Sequence, residues 1–178
     1  MKFAYADPPY IGQAKKHYGK QSNYAGEVDH YDLLLRLTLE FKDGWALSCS
    51  STTLQEVLGL CDKFALKPRV AAWVKPFAVF KPNVNPAYAW EPVVFVGGRK
   101  REREEPTVRD WMACNITLRR GLPGVKPDAF CFWLFSLLGM EPGDTLVDLY
   151  PGSGAVTKAW NRYQAQLWPP QQALGVDP

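Results

Sequence analysis

Short apolar runs alternate along the chain with longer segments in which apolar residues recur every three or four positions. Such runs, bounded by polar residues, glycine or proline, are typical of buried strands, and the longer period indicates amphipathic helices. The runs predict strands over residues 2–6, 45–50, 69–74, 92–96, 145–149 and 173–177. The periodic segments predict helices over residues 29–40, 54–64, 129–139 and 155–163.

This alternation predicts an α/β fold whose sheet is covered by helices on both faces. Residues 51–53, S-T-T, and Asp128 are the expected N-caps of the second and third helices. The 178 residues are enough for one domain with a substantial core, and no Ser/Gly-rich or Pro-rich linker divides residues 1–178. We therefore expect a single domain.

The charge distribution permits contact with a polyanion without requiring it. The net charge is only +3, but the basic residues are clustered. Glutamates interrupt the cluster at residues 98–105, so a solvated loop is an equal alternative there. The candidate phosphate contacts are Lys15, Lys16, His17, Arg99, Lys100, Arg101, Arg119 and Arg120.

The four cysteines and the apolar runs exclude several classes of protein. Cysteines 49, 61, 114 and 131 form no C-x-x-C pair and have no histidine at metal-ligand spacing, which argues against a zinc site or a disulfide scaffold. The most apolar run, residues 129–138, is too short to cross a bilayer, and no signal peptide opens the chain. We expect a soluble cytoplasmic protein without a bound metal or a membrane partner.

Two loops that each follow a predicted strand carry the candidate chemistry. Residues 7–10, D-P-P-Y, follow the first strand, and residues 148–154, D-L-Y-P-G-S-G, follow the fifth. If these strands are parallel, both loops open at the same edge of the sheet, where ligands bind in α/β proteins. Each loop alone has a plainer interpretation, because proline ends strands and glycine is common in tight turns. Their joint occurrence favours a functional site.

Together, these loops resemble two motifs of the β-class S-adenosylmethionine-dependent DNA amino-methyltransferases. Residues 7–10 match the catalytic motif, and residues 148–154 match the cofactor motif D-x-F-x-G-S-G, in the permuted order of that class. Further similar segments are A-W-V-K at 72–75, W-E-P-V-V-F at 90–95, and K-P at 126–127. The resemblance covers nearly the whole chain, and the segments at residues 17–30 and 89–100 resemble short phage methylase-like proteins without a separate target-recognition domain.

The chain also departs from the family pattern at several positions. Tyr150 stands where phenylalanine is usual, Trp90 replaces a histidine, and alanine and valine at 155–156 replace two threonines. The sequence stops soon after Asp177, so the resemblance implies a circularly permuted, Rossmann-like methyltransferase sheet with a shortened cofactor half.

The resemblance implies that S-adenosyl-L-methionine is the cofactor and that an exocyclic amine is methylated. The carboxylate of Asp7 and the carbonyl of Pro8 would draw the amine toward tetrahedral geometry, and Tyr10 would stack on the base. The implied catalytic residues are Asp7, Pro8, Pro9 and Tyr10. The implied cofactor contacts are Asp7, Lys126, Asp148, Tyr150, Gly152, Ser153, Gly154 and Asp177. For Lys126, an exposed lysine without a role is the alternative.

By the same resemblance, aspartate at position 7 favours DNA adenine N6 as the target. Cytosine N4 and RNA remain alternatives, as does an inactive module that only binds cofactor or nucleic acid. A homodimer that supplies the missing elements is a further expectation.

Overall fold

A six-stranded mixed sheet organises the computed structural model, which describes residues 1–12, 26–77, 84–117 and 125–167. The strands are β1 (Lys2–Ala6), β2 (Gly44–Ser48), β3 (Arg69–Val74), β4 (Trp90–Gly97), β5 (Trp111–Ala113) and β6 (Thr145–Asp148). The helices of the described part are α1 (His30–Glu40), α2 (Leu54–Lys63), α3 (Asp128–Leu138) and α4 (Ala155–Leu167).

The order of the strands across the sheet is β5-β3-β4-β2-β1-β6. Strand β1 is parallel to both neighbours, β2 and β6, whereas β4 is antiparallel to β2 and to β3. The carboxyl ends of β1, β2, β3 and β6 therefore lie at one edge of the sheet, called here the carboxyl edge. Because β4 runs in the opposite direction, its first residues lie at this edge and its last residues lie at the other.

Helices cover both faces of the sheet, as the sequence predicts. Side chains alternate along a strand, so Phe3 and Tyr5 point to the face covered by α3 and α4, and Ala4 and Ala6 point to the face covered by α1 and α2. All four are fully buried. Burial of a large apolar side chain contributes about 1.5–3 kcal/mol. Phe3 and Tyr5 are thus core residues.

The predicted helix ends are confirmed in part. Asp29 caps α1, because its carboxylate accepts hydrogen bonds from the amides of Tyr31 and Asp32 at 2.8 and 3.2 Å. The two predicted caps have different outcomes: Asp128 is not the cap of α3, whereas the S-T-T segment supplies the N-cap residue of α2 but no cap hydrogen bond. Pro127 precedes α3 with an extended backbone, and Asp128 lies in the first turn, where the helix dipole favours its charge. Thr53 precedes α2 without a side-chain cap.

The remaining differences concern lengths. Helix α4 continues to Leu167, beyond the predicted end at residue 163. Between β4 and α3, where the sequence predicts no strand, the three-residue strand β5 pairs with β3. The predicted strand at residues 173–177 lies outside the described residues.

Candidate active site

The carboxyl edge brings the two motif loops side by side. Strands β1 and β6 are parallel neighbours, with Tyr5 opposite Asp148, and the amide of Leu149 donates a hydrogen bond to the carbonyl of Tyr5 at 2.9 Å. Asp7 follows directly after β1, whereas Asp148 is the last residue of β6. The prediction that both loops open at one edge is therefore confirmed.

The glycine turn between β6 and α4 requires glycine for its backbone conformation. Gly152 and Gly154 have positive φ angles of 47° and 70°, a region that L side chains rarely adopt. A Cβ atom at either position would meet no described atom closer than 3.9 Å, so space is not the constraint. The carbonyl of Gly154 accepts a hydrogen bond from the amide of Lys158 at 3.0 Å in the first turn of α4. Gly152 is exposed and Gly154 is half-buried, so the turn lies open at the carboxyl edge.

Asp148 carries a buried carboxylate without a hydrogen-bond partner among the described residues. Burial raises the pKa of this carboxyl, and the nearby charge of Asp7 adds to the increase. The amide of Tyr150 and the hydroxyl of Thr157 lower the pKa in part, without a hydrogen bond of normal geometry. A buried acid of this kind costs folding free energy, and a cation or a strong donor at the carboxyl edge would compensate for it.

Asp7 is held by an ion pair. Its Oδ1 lies 3.1 Å from Nζ of Lys126, and its side chain is 24% exposed. Burial raises the pKa of Asp7, and the charge of Lys126 opposes the increase. Pro8 is buried, whereas Pro9 and Tyr10 are half-buried. Burial also raises the pKa of Tyr10 well above its usual value, so its phenol is neutral.

Sequence reasoning missed Glu91, which joins two lysines to this site. Lys126 is only 6% exposed, so the alternative of an exposed lysine is wrong. Its Nζ lies 3.2 Å from Oε2 of Glu91, while Lys75 contacts Oε1. Trp73 lies beneath both lysines, with its ring centroid 4.9 Å from Nζ of Lys75 and 5.3 Å from Nζ of Lys126. The signal in the sequence is an acid at the start of a buried strand.

The structure does not bring the cluster at Arg99 to the carboxyl edge. Since β4 is antiparallel, residues 99–101 follow its far end. The guanidinium of Arg99 donates to both carboxylate oxygens of Asp144 at 2.9 and 2.8 Å, and that of Arg101 donates to carbonyls of Pro106 and Ser136. Lys100 is exposed at the same end.

Several predicted contacts lie outside the described residues. They are Lys15, Lys16, His17, Arg119, Arg120 and Asp177.

Neither the cysteines nor the acids of the described part suggest other chemistry. Burial raises the pKa of Cys49 to about 12, that of Cys61 to about 11 and that of Cys131 to about 12, so these thiols are protonated and unreactive. Within the described ranges, no group of three or more histidine, cysteine or acidic side chains is arranged to hold a metal. No helix found there has the length and apolar character to span a membrane.

Solved structures with the same fold exist, although no family model and no curated protein matches the sequence. The M1.HpyAVI-SAM complex superposes with a TM-score of 0.62 at 14% identity, over 91% of this chain and 78% of that chain. TTHA0409 from Thermus thermophilus, provisionally named as a DNA modification methylase, gives a TM-score of 0.55 at 16% identity, over 91% and 76%.

TTHA0409 has also been crystallised with S-adenosyl-L-methionine, and that complex gives a TM-score of 0.50 at 14% identity, over 91% and 77%. At such low identity the similarity establishes the fold alone. The expected α/β fold, with a sheet covered by helices on both faces, is therefore confirmed, while the circular permutation and the shortened cofactor half stay predictions.

Proposed function

We propose that this protein is an S-adenosyl-L-methionine-dependent methyltransferase that acts on an exocyclic amine of a nucleobase, specifically N6 of adenine in DNA. The observation that carries the proposal is that Asp7 follows β1 directly, while Asp148, whose buried carboxylate has no hydrogen-bond partner among the described residues, ends the adjacent parallel strand β6. A glycine turn that exposes its backbone lies beside them.

The donor set at the carboxyl edge fits this cofactor. S-adenosylmethionine carries an ammonium and a sulfonium, and the buried carboxylate of Asp148 needs a cationic partner. Crystal structures of M1.HpyAVI and TTHA0409, which share the fold, contain this cofactor. The residues that would hold the methionine portion are Asp148, Tyr150, Gly152, Ser153 and Gly154. A contact of Asp177 with the ribose, and contacts of Asp7 and Lys126 with the cofactor, remain predictions.

The Asp-Pro-Pro loop suits the acceptor side of the reaction. The lone pair of an exocyclic amine is delocalised into the base, so the nitrogen is a weak nucleophile until hydrogen-bond acceptors draw it out of the plane. Asp7 supplies a carboxylate and Pro8 a carbonyl, and the prolines fix the loop without adding competing donors. Tyr10 offers a neutral ring on which an extruded base can stack.

The cofactor supplies an activated methyl group, so alignment of donor and acceptor accounts for much of the rate. As the nitrogen took the methyl group, the bond from that group to sulfur would break and leave a neutral thioether, and the positively charged nitrogen would then release a proton. Asp7 is the acceptor for that proton. No covalent intermediate with the protein is involved.

DNA is the proposed substrate, because one of the proteins of this fold is named as a DNA modification methylase. The phosphate contacts proposed for it are Lys15, Lys16, His17, Arg119 and Arg120. Arg99 and Arg101 are less suited to this role, because their guanidinium groups already bind within the protein at the far end of β4.

The test is transfer of a labelled methyl group from the cofactor to DNA and, in parallel, to RNA. We expect incorporation into DNA, and we expect Asp7→Ala to abolish it even at saturating cofactor, with calorimetry measuring the loss of cofactor affinity that the predicted contact of Asp7 would cause. An intact cofactor site without transfer to either nucleic acid would instead indicate the inactive binding module.

A further inference from the structure

Four charged side chains of alternating sign form a continuous chain beneath the Asp-Pro-Pro loop. Lys126 lies between Asp7 and Glu91, at 3.1 and 3.2 Å, and Lys75 contacts the other oxygen of Glu91. These four residues, called here the charge chain, come from four separate segments of the sequence. Two acids and two bases make the charge chain neutral as a whole.

The charge chain is largely removed from water. The side chains of Lys126, Lys75 and Glu91 are 6%, 14% and 17% exposed. Rings of Trp73 and Phe130 lie 5.3 and 5.6 Å from Nζ of Lys126. Buried charges persist when they are paired, and removing one partner leaves the next without compensation. The ionisation of each member therefore depends on its neighbours.

Asp7, at one end of the charge chain, is the member that takes part in the proposed reaction. The ion pair engages Oδ1 of Asp7, so Oδ2 is the oxygen left outside the charge chain, on a side chain that is 24% exposed. Only an ionised carboxylate is a pure hydrogen-bond acceptor, because a protonated one donates from one of its oxygens. The O–H of a protonated Asp7 would repel the hydrogens of the substrate amine, whose hydrogen bond the reaction requires Asp7 to accept.

We propose that Lys126, Glu91 and Lys75 are positioning residues that hold Asp7 as an oriented carboxylate whose free oxygen accepts the hydrogen bond of the substrate amine. The proposal rests on the proposed function and adds to it three residues that act through Asp7 without touching the substrate.

The members of the charge chain have opposite effects on Asp7. Burial raises the pKa of Asp7. The charges of Lys126 and Lys75 lower this pKa, and the charge of Glu91 raises it. Burial likewise opposes ionisation of Glu91, but Lys126 and Lys75 bring its pKa below the usual value. Burial disfavours the charge of Lys126, yet its anionic surroundings raise its pKa well above normal. The ionisable groups that face Asp7 are Tyr5, Tyr10, Lys75, Glu91, Lys126 and Asp148.

These opposite effects on the pKa of Asp7 allow an experiment that distinguishes positioning residues from merely structural ones. The rate of methyl transfer is measured against pH, and the acid limb reports ionisation of Asp7. Lys126→Met should move that limb upward by about 1–3 pH units, because an adjacent cation lowers the pKa of an aspartate by that amount. Glu91→Gln should move it downward, and Lys75→Met should move it upward by less than Lys126→Met does.

Conservative and surface variants complete the series. Lys126→Arg keeps the charge and should leave the limb near its original pH. Two surface variants are the controls. Lys42→Met removes an exposed lysine that follows α1, and Glu40→Gln removes the exposed acid at the end of α1. Both variants should leave the pH profile unchanged.

A carboxyl NMR titration of Asp7, assigned with Asp7→Asn, measures the same ionisation without any activity. The same order of shifts in folded variants supports the proposal even if nucleic acid is not methylated, in which case the proposed function alone fails. The proposal would be overturned if all the charge-chain variants lost activity alike while the acid limb of the pH profile and the NMR titration of Asp7 stayed where they are in the unchanged protein. If Lys126→Met does not fold, opposite shifts in Lys75→Met and Glu91→Gln decide the matter.

Discussion

The buried carboxylate of Asp148 predicts that one substitution stabilises the cofactor-free protein and weakens cofactor binding. Both oxygens of this carboxylate are buried without a hydrogen-bond partner among the described residues. A buried unsatisfied group costs about 1–3 kcal/mol, and a charged one costs more. Asp148→Asn removes the charge and keeps the shape, so we expect the free energy of unfolding to increase by about 1–2 kcal/mol at neutral pH.

This gain should depend on pH in a defined direction. Burial raises the pKa of Asp148, so the folded protein binds this proton more tightly than the unfolded chain does. The cost of ionisation is therefore absent below the ordinary aspartate pKa of about 3.9, grows as the pH rises and is complete above the raised pKa. The difference in stability between Asp148→Asn and the unchanged protein should accordingly disappear toward low pH.

The assay is thermal unfolding with and without S-adenosyl-L-methionine, followed by calorimetric titration. Without cofactor, Asp148→Asn should increase Tm by about 2–8 °C, since 1 kcal/mol corresponds to about 2–4 °C at this chain length. Loss of a charge-assisted contact worth about 1.5–3 kcal/mol should weaken cofactor binding roughly tenfold or more. Asp62→Asn, at an exposed position of α2, is the matched control and should change neither value. A lower Tm together with unchanged cofactor affinity would refute the reasoning.

Three further predictions concern the glycine turn, the far end of β4 and the cysteines. Gly154→Ala adds left-handed strain and should lower the free energy of unfolding by about 1–2 kcal/mol, and calorimetry should show weaker cofactor binding if the turn shifts to relieve the strain. Its matched control, Gly59→Ala in the open middle of α2, should stabilise the fold by about 0.5–1 kcal/mol, and equal effects of both would contradict this account. Arg99→Ala removes a partner of the buried Asp144 and should lower the free energy of unfolding by about 1 kcal/mol. Gel-shift titrations should show unchanged affinity for DNA, and weaker binding would place the far end of β4 in the DNA interface. Cys61 should react with a thiol reagent only on unfolding, and rapid labelling of the native protein would show that it is accessible.

Most of the sheet is predictable from the sequence, because its strands are short apolar runs with clear ends. The D-P-P-Y and D-L-Y-P-G-S-G loops are predictable as neighbours for the same reason, since each follows a strand of the parallel part. The pattern of apolar residues does not encode strand direction, however. The antiparallel course of β4 is what carries Arg99 away from the carboxyl edge and sets Glu91 beside Trp73 in the neighbouring strand.

The charge chain was not predictable for a related reason. Lys75, Glu91 and Lys126 are far apart in the sequence, and although the resemblance implies a cofactor contact for Lys126, no local pattern places the three side chains together. Only the register of β3 with β4, together with the approach of the segment before α3, buries them as one group. The role of a charged residue next to a buried strand depends on such tertiary pairings, and the local periodicity of the sequence does not specify them.

Mass spectrometry of nucleosides is the most direct test of the claim that Asp7 and Asp148 form a methyl-transfer site. DNA is incubated with the protein and S-adenosyl-L-methionine that carries a deuterated methyl group, and the DNA is then digested to nucleosides. We predict labelled N6-methyladenine with the unchanged protein and none with Asp7→Ala. The absence of any labelled nucleoside, from a protein shown by calorimetry to bind the cofactor, would contradict the account.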